Sequence, residues 1–222
     1  MNEQQDFSYI KHNLESIRAR ADAAAAASPY GQSYELLLAT KYATADEINY
    51  AHALGVGKIG ENRVQSLLEK YDALNRDGLD IHFIGSLQKN KVKYIIDKVS
   101  MIESLDSLPL AEEIERQAAK HEKVMDCLIE VNIGREAQKG GVLPEDASDF
   151  AEKLAAFPHI RLCGIMTMAP KCDDAADYRK YFRESYHIFI DICEKKLHNV
   201  DRHVLSMGMS RSFEAALAEG QP

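Results

Sequence analysis

The sequence predicts an α/β fold: a (β/α)8 barrel of the TIM type whose eighth strand is missing from this chain. Three observations carry that expectation. Seven short apolar runs alternate strictly with segments of helical periodicity, the pattern of a parallel sheet wrapped by helices. The runs are apolar nearly throughout rather than alternating, as strands covered on both faces are. The length, 222 residues, suits one barrel domain. An open doubly wound sheet is the competing architecture; units of similar length with no interrupting insertion favour the barrel. A closed barrel takes eight strands, and this chain stops at Gln221-Pro222, where the eighth should begin. No linker, repeat or boundary interrupts the pattern. Residues 1–222 therefore read as one domain, with residues 1–28 as an N-terminal helix packed on the barrel.

The elements follow in order. Ile10, Leu14, Ile17 and Ala21 recur at helical spacing, and Ala23 to Ala27 extend that helix until Ser28-Pro29-Tyr30-Gly31 breaks it. Tyr34 to Thr40 is the first strand, ended by Lys41. Thr44 to Glu47 is a capping box opening a helix that Gly55 stops. Lys58 to Glu61 is the second strand, and Asn62 leads into a helix. Ile81 to Gly85 is the third strand, followed by a Lys-rich helix to Asp97. Ser100 to Leu105 is the fourth, and Asp106 caps the next helix, to His121. Met125 to Asn132 is the fifth strand. After a loop with Lys139-Gly140-Gly141, a helix spans Pro144 to Phe157. Arg161 to Met168 is the sixth strand. Tyr178, Phe182, Tyr186 and Phe189 mark a long helix to Leu197. His203 to Met207 is the seventh strand, and Ser210 starts a last helix to Ala218.

Lys and Arg total 27 against 35 Asp and Glu, a formal charge of −8. An acidic chain without a basic tract argues against nucleic acid or an anionic membrane as partner. The start has no basic-then-apolar signal pattern, and no apolar run nears the ~20 residues that span a bilayer. Cys127, Cys163, Cys172 and Cys193 form no CxxC pair and read as reduced thiols of a cytoplasmic protein. The histidines show no metal-ligand spacing, so no metal is expected.

In a parallel barrel the working residues sit just past the C-terminal ends of the strands. That rule selects Lys41, Asn62, Gly85 with the Gln88 region, Asn132, Thr167 with Met168, and Ser206-Met207-Gly208-Met209-Ser210. An amine at Lys41, partly desolvated at the mouth, is a nucleophile toward aldehydes such as pyridoxal phosphate; a solvated strand-end lysine is the competing reading. The 206–210 stretch enters a helix, where backbone N–H groups bind anions, and Ser210 equally reads as a helix cap. His82 reads as packed or as lining the mouth. The Lys89, Lys91, Lys93 and Lys98 segment reads as a solvated face or an anion-attracting rim. Gly55 to Gly60 matches GxGxxG, but it leaves a helix and enters a strand, so a dinucleotide site is rejected.

LLLATK ending at Lys41, GENRVQ from Gly60, HFIGSLQKNK from His82, GIMTM from Gly164 and LSMGMS from Leu205 together resemble the pyridoxal phosphate homeostasis protein family. The order and spacing match over about residues 5 to 220. The resemblance implies a single barrel like the N-terminal domain of alanine racemase. It implies pyridoxal 5′-phosphate as cofactor, held as a Schiff base on Lys41. It places Asn62 near the cofactor ring, His82 and Met168 at the mouth around it, and Ser206, Gly208, Met209 and Ser210 in the phosphate cradle. Two departures bear on affinity. The family's later strand, with an Arg-Ile-Gly segment facing the pyridine nitrogen, is missing here, and Arg211-Ser212 stands where the family has an acidic residue.

The expected function is binding of pyridoxal phosphate for intracellular homeostasis, without strong catalysis and without a catalytic residue proper. Pyridoxal phosphate-dependent apoenzymes are the expected recipients, and the chain is expected to be monomeric. Three rivals stand: a small racemase or lyase using Lys41 and Tyr42, a barrel for another phosphorylated metabolite, and a docking role for the Lys-rich segment.

Overall fold

The computed structural model describes residues 6–29, 33–195, 197 and 200–220, with only the backbone described at 200–203. The expected turn residues Tyr30 and Gly31, the side chain of His203 and the last two residues lie outside the described ones. Seven parallel strands form one sheet in the order β1-β2-β3-β4-β5-β6-β7. They are β1 (Leu37–Ala39), β2 (Lys58–Glu61), β3 (Asp80–Phe83), β4 (Met101–Leu105), β5 (Met125–Val131), β6 (Ile160–Thr167) and β7 (Val200–Ser206). The helices are α1 (Ser8–Ala27), α2 (Ala45–Ala53), α3 (Val64–Tyr71), α4 (Leu108–Lys120), α5 (Ala147–Leu154), α6 (Ala175–Glu194) and α7 (Phe213–Glu219). An eighth strand is not among the described residues, so β1 and β7 are sheet edges.

The strands separate two apolar layers. Ile59, Ile81, Phe83, Ile102, Cys127, Ile129, Leu162 and Ile165 pack against Leu67, Ile114 and Leu154 of the helices. Met101, Leu128 and Cys163, with Met166 and Val204, form a smaller cluster on the opposite face. That second face is concave, because Glu103 of β4 reaches both His82 of β3 and Ser206 of the non-adjacent β7. The curvature has a local cause. Register shifts interrupt the β4–β5, β5–β6 and β6–β7 pairings, and such bulges bend a sheet. Gly164 sits at one, at φ +142°, where a Cβ would lie 1.9 Å from the Val204 carbonyl oxygen.

α1 bridges the two ends of the sheet. Arg18 donates to the Leu54 and Gly55 carbonyls after α2. Two residues on, Arg20 makes a two-pronged ion pair with Glu214 of α7 and lies over the Phe213 ring. α7 is tied in turn to α6 by Arg179 and Arg183, which both pair with Glu219.

Several expected elements differ in detail. The Lys-rich segment is a 3-10 helix, Lys89–Tyr94, not an α-helix to Asp97. Three residues per turn stack Val92 and Ile95 on one buried side and leave Lys89, Lys91 and Lys93 in water. Ser107, not Asp106, precedes α4. The segment from Pro144 starts as a 3-10 turn and becomes α5 only at Ala147. The last helix starts at Phe213 with Ser212 at its N-cap position, so Ser210 is not its cap. Gly55 ends α2 at φ +84° and β2 begins at Lys58, which is the helix-to-strand turn the GxGxxG match was read as.

Candidate functional site

In a parallel sheet every C-terminal strand end lies on one face. The turn after β1, the start of the β2–α3 connection and the β7–α7 connection therefore open toward the same side. Lys41 and Asn62 are neighbours there: Ala39 pairs with Gly60, and each residue of interest lies two positions on. The Lys41 turn is closed by Ala43 N donating to the Thr40 carbonyl at 3.1 Å. It runs straight into the α2 capping box, in which Thr44 and Glu47 bond reciprocally. Asn62 owes its backbone path to Gly85, where a Cβ would lie 2.1 Å from the Asn62 carbonyl oxygen.

Lys41 is exposed, so of the two sequence readings, a partly desolvated amine and a solvated strand-end lysine, the structure shows the solvated one. The reason is its strand. β1 is three residues long and no described strand pairs with its outer edge, so Ala39 is exposed too. The Lys41 amine lies 4.9 Å from the centroid of the Tyr42 ring and meets no carboxylate among the described residues. That cation holds the Tyr42 hydroxyl below its ordinary value.

His82 lines the concave face. Its Nδ1 lies 2.6 Å from Glu103 Oε1, and the Ser206 hydroxyl donates to Glu103 Oε2 at 2.7 Å. Both groups of the His82–Glu103 pair are buried. Two expected site residues are thus joined through a carboxylate that the sequence reading did not single out. Glu130 was missed as well. It pairs with Met166, which pairs with Ser206, so the three share one rung of β5, β6 and β7. Burial, with Asp106 nearby, pushes the Glu130 carboxyl up to about 7. The available signal was a carboxylate inside a mostly apolar strand, at a position that a buried sheet must orient or neutralise: SMIESL holds one, Glu103, and MDCLIEVN two, Asp126 and Glu130.

The β7–α7 connection is shaped by Gly208, at φ +87°, where a Cβ would come within 3.0 Å of Ala216 and Phe213. Ser212 is buried, and its hydroxyl accepts from the Met209 N–H at 3.1 Å. The backbone N–H groups of Gly208, Ser210 and Arg211 make no hydrogen bond among the described residues. Ser210 and Met209 are exposed, and Met168 projects past β6 with 45% of its surface open. No described hydrogen bond joins Met168 or Ser210 to His82, Glu103 or Ser206.

Two other strand-end candidates face elsewhere. Asn132 spends its amide on its own loop, donating to the Glu136 carbonyl and accepting from the Glu136 N–H. Thr167 accepts from Ser185 of α6, on the helix side of the sheet.

The family profile described as the alanine racemase N-terminal domain matches residues 5–220. A relative from Aquifex aeolicus, named pyridoxal phosphate homeostasis protein, is 43% identical over 186 residues, 84% of this chain and 81% of its own. The chain belongs to the pyridoxal phosphate homeostasis protein family. Solved structures agree on the fold of that family. A crystal structure of a Bifidobacterium adolescentis protein superposes with a TM-score of 0.92 at 32% identity, covering 99% of this chain and 94% of that one. The PipY protein of Synechococcus elongatus, solved with PLP bound, superposes at 0.80 with 27% identity, covering 96% and 94%. These superpositions agree with the parallel sheet and its sequential strand order. No described helix is long and apolar enough to cross a membrane.

Proposed function

We propose that this chain binds pyridoxal 5′-phosphate at the C-terminal face of its sheet, holds it covalently and reversibly on Lys41, and takes part in intracellular pyridoxal phosphate homeostasis without strong catalysis. One observation carries the reading. An exposed amine without a carboxylate partner, after β1, and a turn of unused backbone N–H groups, after β7, open on the same face. These are the donors that an aldehyde and a phosphate require at opposite ends of one small molecule. The bound cofactor in PipY, a relative of the same fold, supports the same ligand here.

When bound, pyridoxal phosphate supplies an aldehyde that condenses reversibly with a primary amine, releasing one water. The chain's residues do the rest. Lys41, in contact with solvent, gives up a proton before it adds to the carbonyl carbon. Asn62 and Met168 border the mouth on either side of the concave face. Glu103 fixes the His82 ring and the Ser206 hydroxyl, so the wall they form does not rearrange when a ligand enters. The N–H groups of Gly208, Ser210 and Arg211, with Met209 holding the turn to Ser212, would take the phosphate.

The chain acts in the cytoplasm, as a monomer, and passes the cofactor to pyridoxal phosphate-dependent apoenzymes. The net charge of −8 supports partners other than nucleic acid or membrane. Racemase or lyase chemistry needs a second acid–base group held out of water. Tyr42, the nearest candidate, is 87% exposed. The deciding experiment is borohydride reduction of protein mixed with pyridoxal phosphate, followed by peptide mapping. The label is expected on Lys41 and absent in Lys41→Ala. Label on other lysines, or none, would overturn the reading.

A further inference from the structure

The turn that carries Lys41 is held from behind the sheet. Lys70, on α3, sends its ammonium under that turn and donates to the Thr40 carbonyl at 2.9 Å and the Ala43 carbonyl at 3.2 Å. Its third contact is Glu61 Oε1, at 2.5 Å. The same carboxylate oxygen accepts from the Thr40 hydroxyl, and Glu61 is the residue before Asn62. The Lys70 and Glu61 side chains are only 13% and 1% exposed. An ammonium has three donors. Here they go to the two ends of the Lys41 turn and to the strand end that carries Asn62.

We propose that Lys70 is a positioning residue for Lys41. It touches none of the reacting atoms and acts by fixing the turn on which the reactive amine stands. The inference rests on Lys41 being the attachment point. Thr40 is tied to Gly60 and the turn has its own Ala43-to-Thr40 bond, but Lys70 is the side chain that joins its two ends to the β2 strand end. β1 is a three-residue edge strand, and both Ala39 and Lys41 face solvent. An ordinary buried ion pair would bind Glu61 alone. Lys70 instead spends two of its donors on main-chain oxygens that flank Lys41. With those bonds gone, the Ala43 carbonyl loses its side-chain donor, the Thr40 carbonyl keeps only the Ala43 N–H, and the backbone that carries Lys41 beside Asn62 is held less firmly. Misplacing a reacting group by about 1 Å costs up to about 100-fold in rate.

The test compares wild type, Lys70→Met/Glu61→Gln and Lys70→Arg. The double variant removes both buried charges, so no uncompensated ion is left behind, and Lys70→Arg keeps donors for the two carbonyls. Circular dichroism melts check that each variant folds. Two quantities are read: the rate at which pyridoxal phosphate becomes borohydride-fixable on Lys41, and backbone hydrogen exchange in the peptide spanning Thr40 to Ala43. The expected result is label on Lys41 in all three proteins at saturation. The double variant labels about tenfold more slowly, with faster exchange confined to that peptide, and Lys70→Arg stays near wild type. Equal labelling rates in wild type and the double variant would overturn the clamp while leaving Lys41 as attachment point. So would an equal slowing in Lys70→Arg, which also decides the matter if the double variant does not fold. A wild type that fixes no label on Lys41 would overturn the attachment reading and this inference with it.

Discussion

Replacing Glu130 by Gln should stabilise the protein at alkaline pH and leave it unchanged in acid. The Glu130 carboxyl stands at about 7 in the folded chain against an ordinary 4.5, because burial and then the Asp106 carboxylate disfavour its charge. A carboxyl raised in this way is no cost to the fold while it is protonated. The native state is most favoured, as far as this group goes, below pH 4.5. Stability falls as pH climbs from 4.5 to about 7, and above that the whole penalty is in force. The displacement corresponds to a ceiling of about 3 kcal/mol, at about 1.36 kcal/mol per pH unit. Glutamine keeps the shape and cannot ionise. Urea unfolding of both proteins at half-unit steps from pH 4.5 to 8.5 should therefore show a difference that starts near zero and grows to about 2–3 kcal/mol in favour of Glu130→Gln. Asp106→Asn should remove part of the wild-type slope. A stability difference that is flat across this range, or a variant weaker than wild type at pH 8, would refute the argument.

Other outcomes follow from the geometry. Lys41→Ala should abolish borohydride labelling and change unfolding free energy by less than about 0.5 kcal/mol, because the residue is exposed. Gly85→Ala should destabilise by more than about 2 kcal/mol in urea melts, since its Cβ would sit 2.1 Å from the Asn62 carbonyl oxygen, and should weaken cofactor binding by moving Asn62. Arg20→Ala should shift the urea midpoint only slightly, because its pair with Glu214 is half-exposed and screened by solvent.

The fold was legible because periodicity reports burial. Apolar runs such as MDCLIEVN fit strands whose one face helices cover and whose other face side chains fill, and that places β2 to β6 within a residue or two, while β1 begins three residues later and β7 three residues earlier than expected. Strand ends then pointed to Lys41, Asn62 and the 206–210 turn. Legibility stopped where contacts join distant residues. Glu103 and Ser206 are 103 positions apart, and nothing in either neighbourhood says that they meet across the concave face. Lys70 looks like any surface lysine of an amphipathic helix until the turn at Thr40 is folded beneath it. The helix start at Ser212 was missed for a different reason: Ser210 and Ser212 are both residue types that favour N-cap positions, and Ser212, which takes that position, makes no side-chain cap but holds the preceding turn through Met209.

The concave face is unevenly built, and the unevenness bears on function. On the β4–β6 side, Met101, Leu128 and Cys163 pack it shut, and above them Glu103 locks His82 to Ser206. On the β1 side, Ala39 and Lys41 meet solvent. A ligand held between these sides has one rigid wall and one wet one. On the proposed attachment at Lys41, water at that end would keep it reversible, because the same solvent that leaves with condensation returns for release. Water there also screens charge, so proton transfer at a bound molecule gains little from the surroundings. Binding and handing on a reactive aldehyde needs only the first property, whereas racemisation or decarboxylation needs the second removed. Covering the Lys41 side should therefore shift the balance: a partner surface that excludes water from β1 would slow release from Lys41. Rates of cofactor transfer to an apoenzyme, compared with rates of release into buffer, measure that difference directly. Transfer no faster than release would mean that the recipient never touches this face.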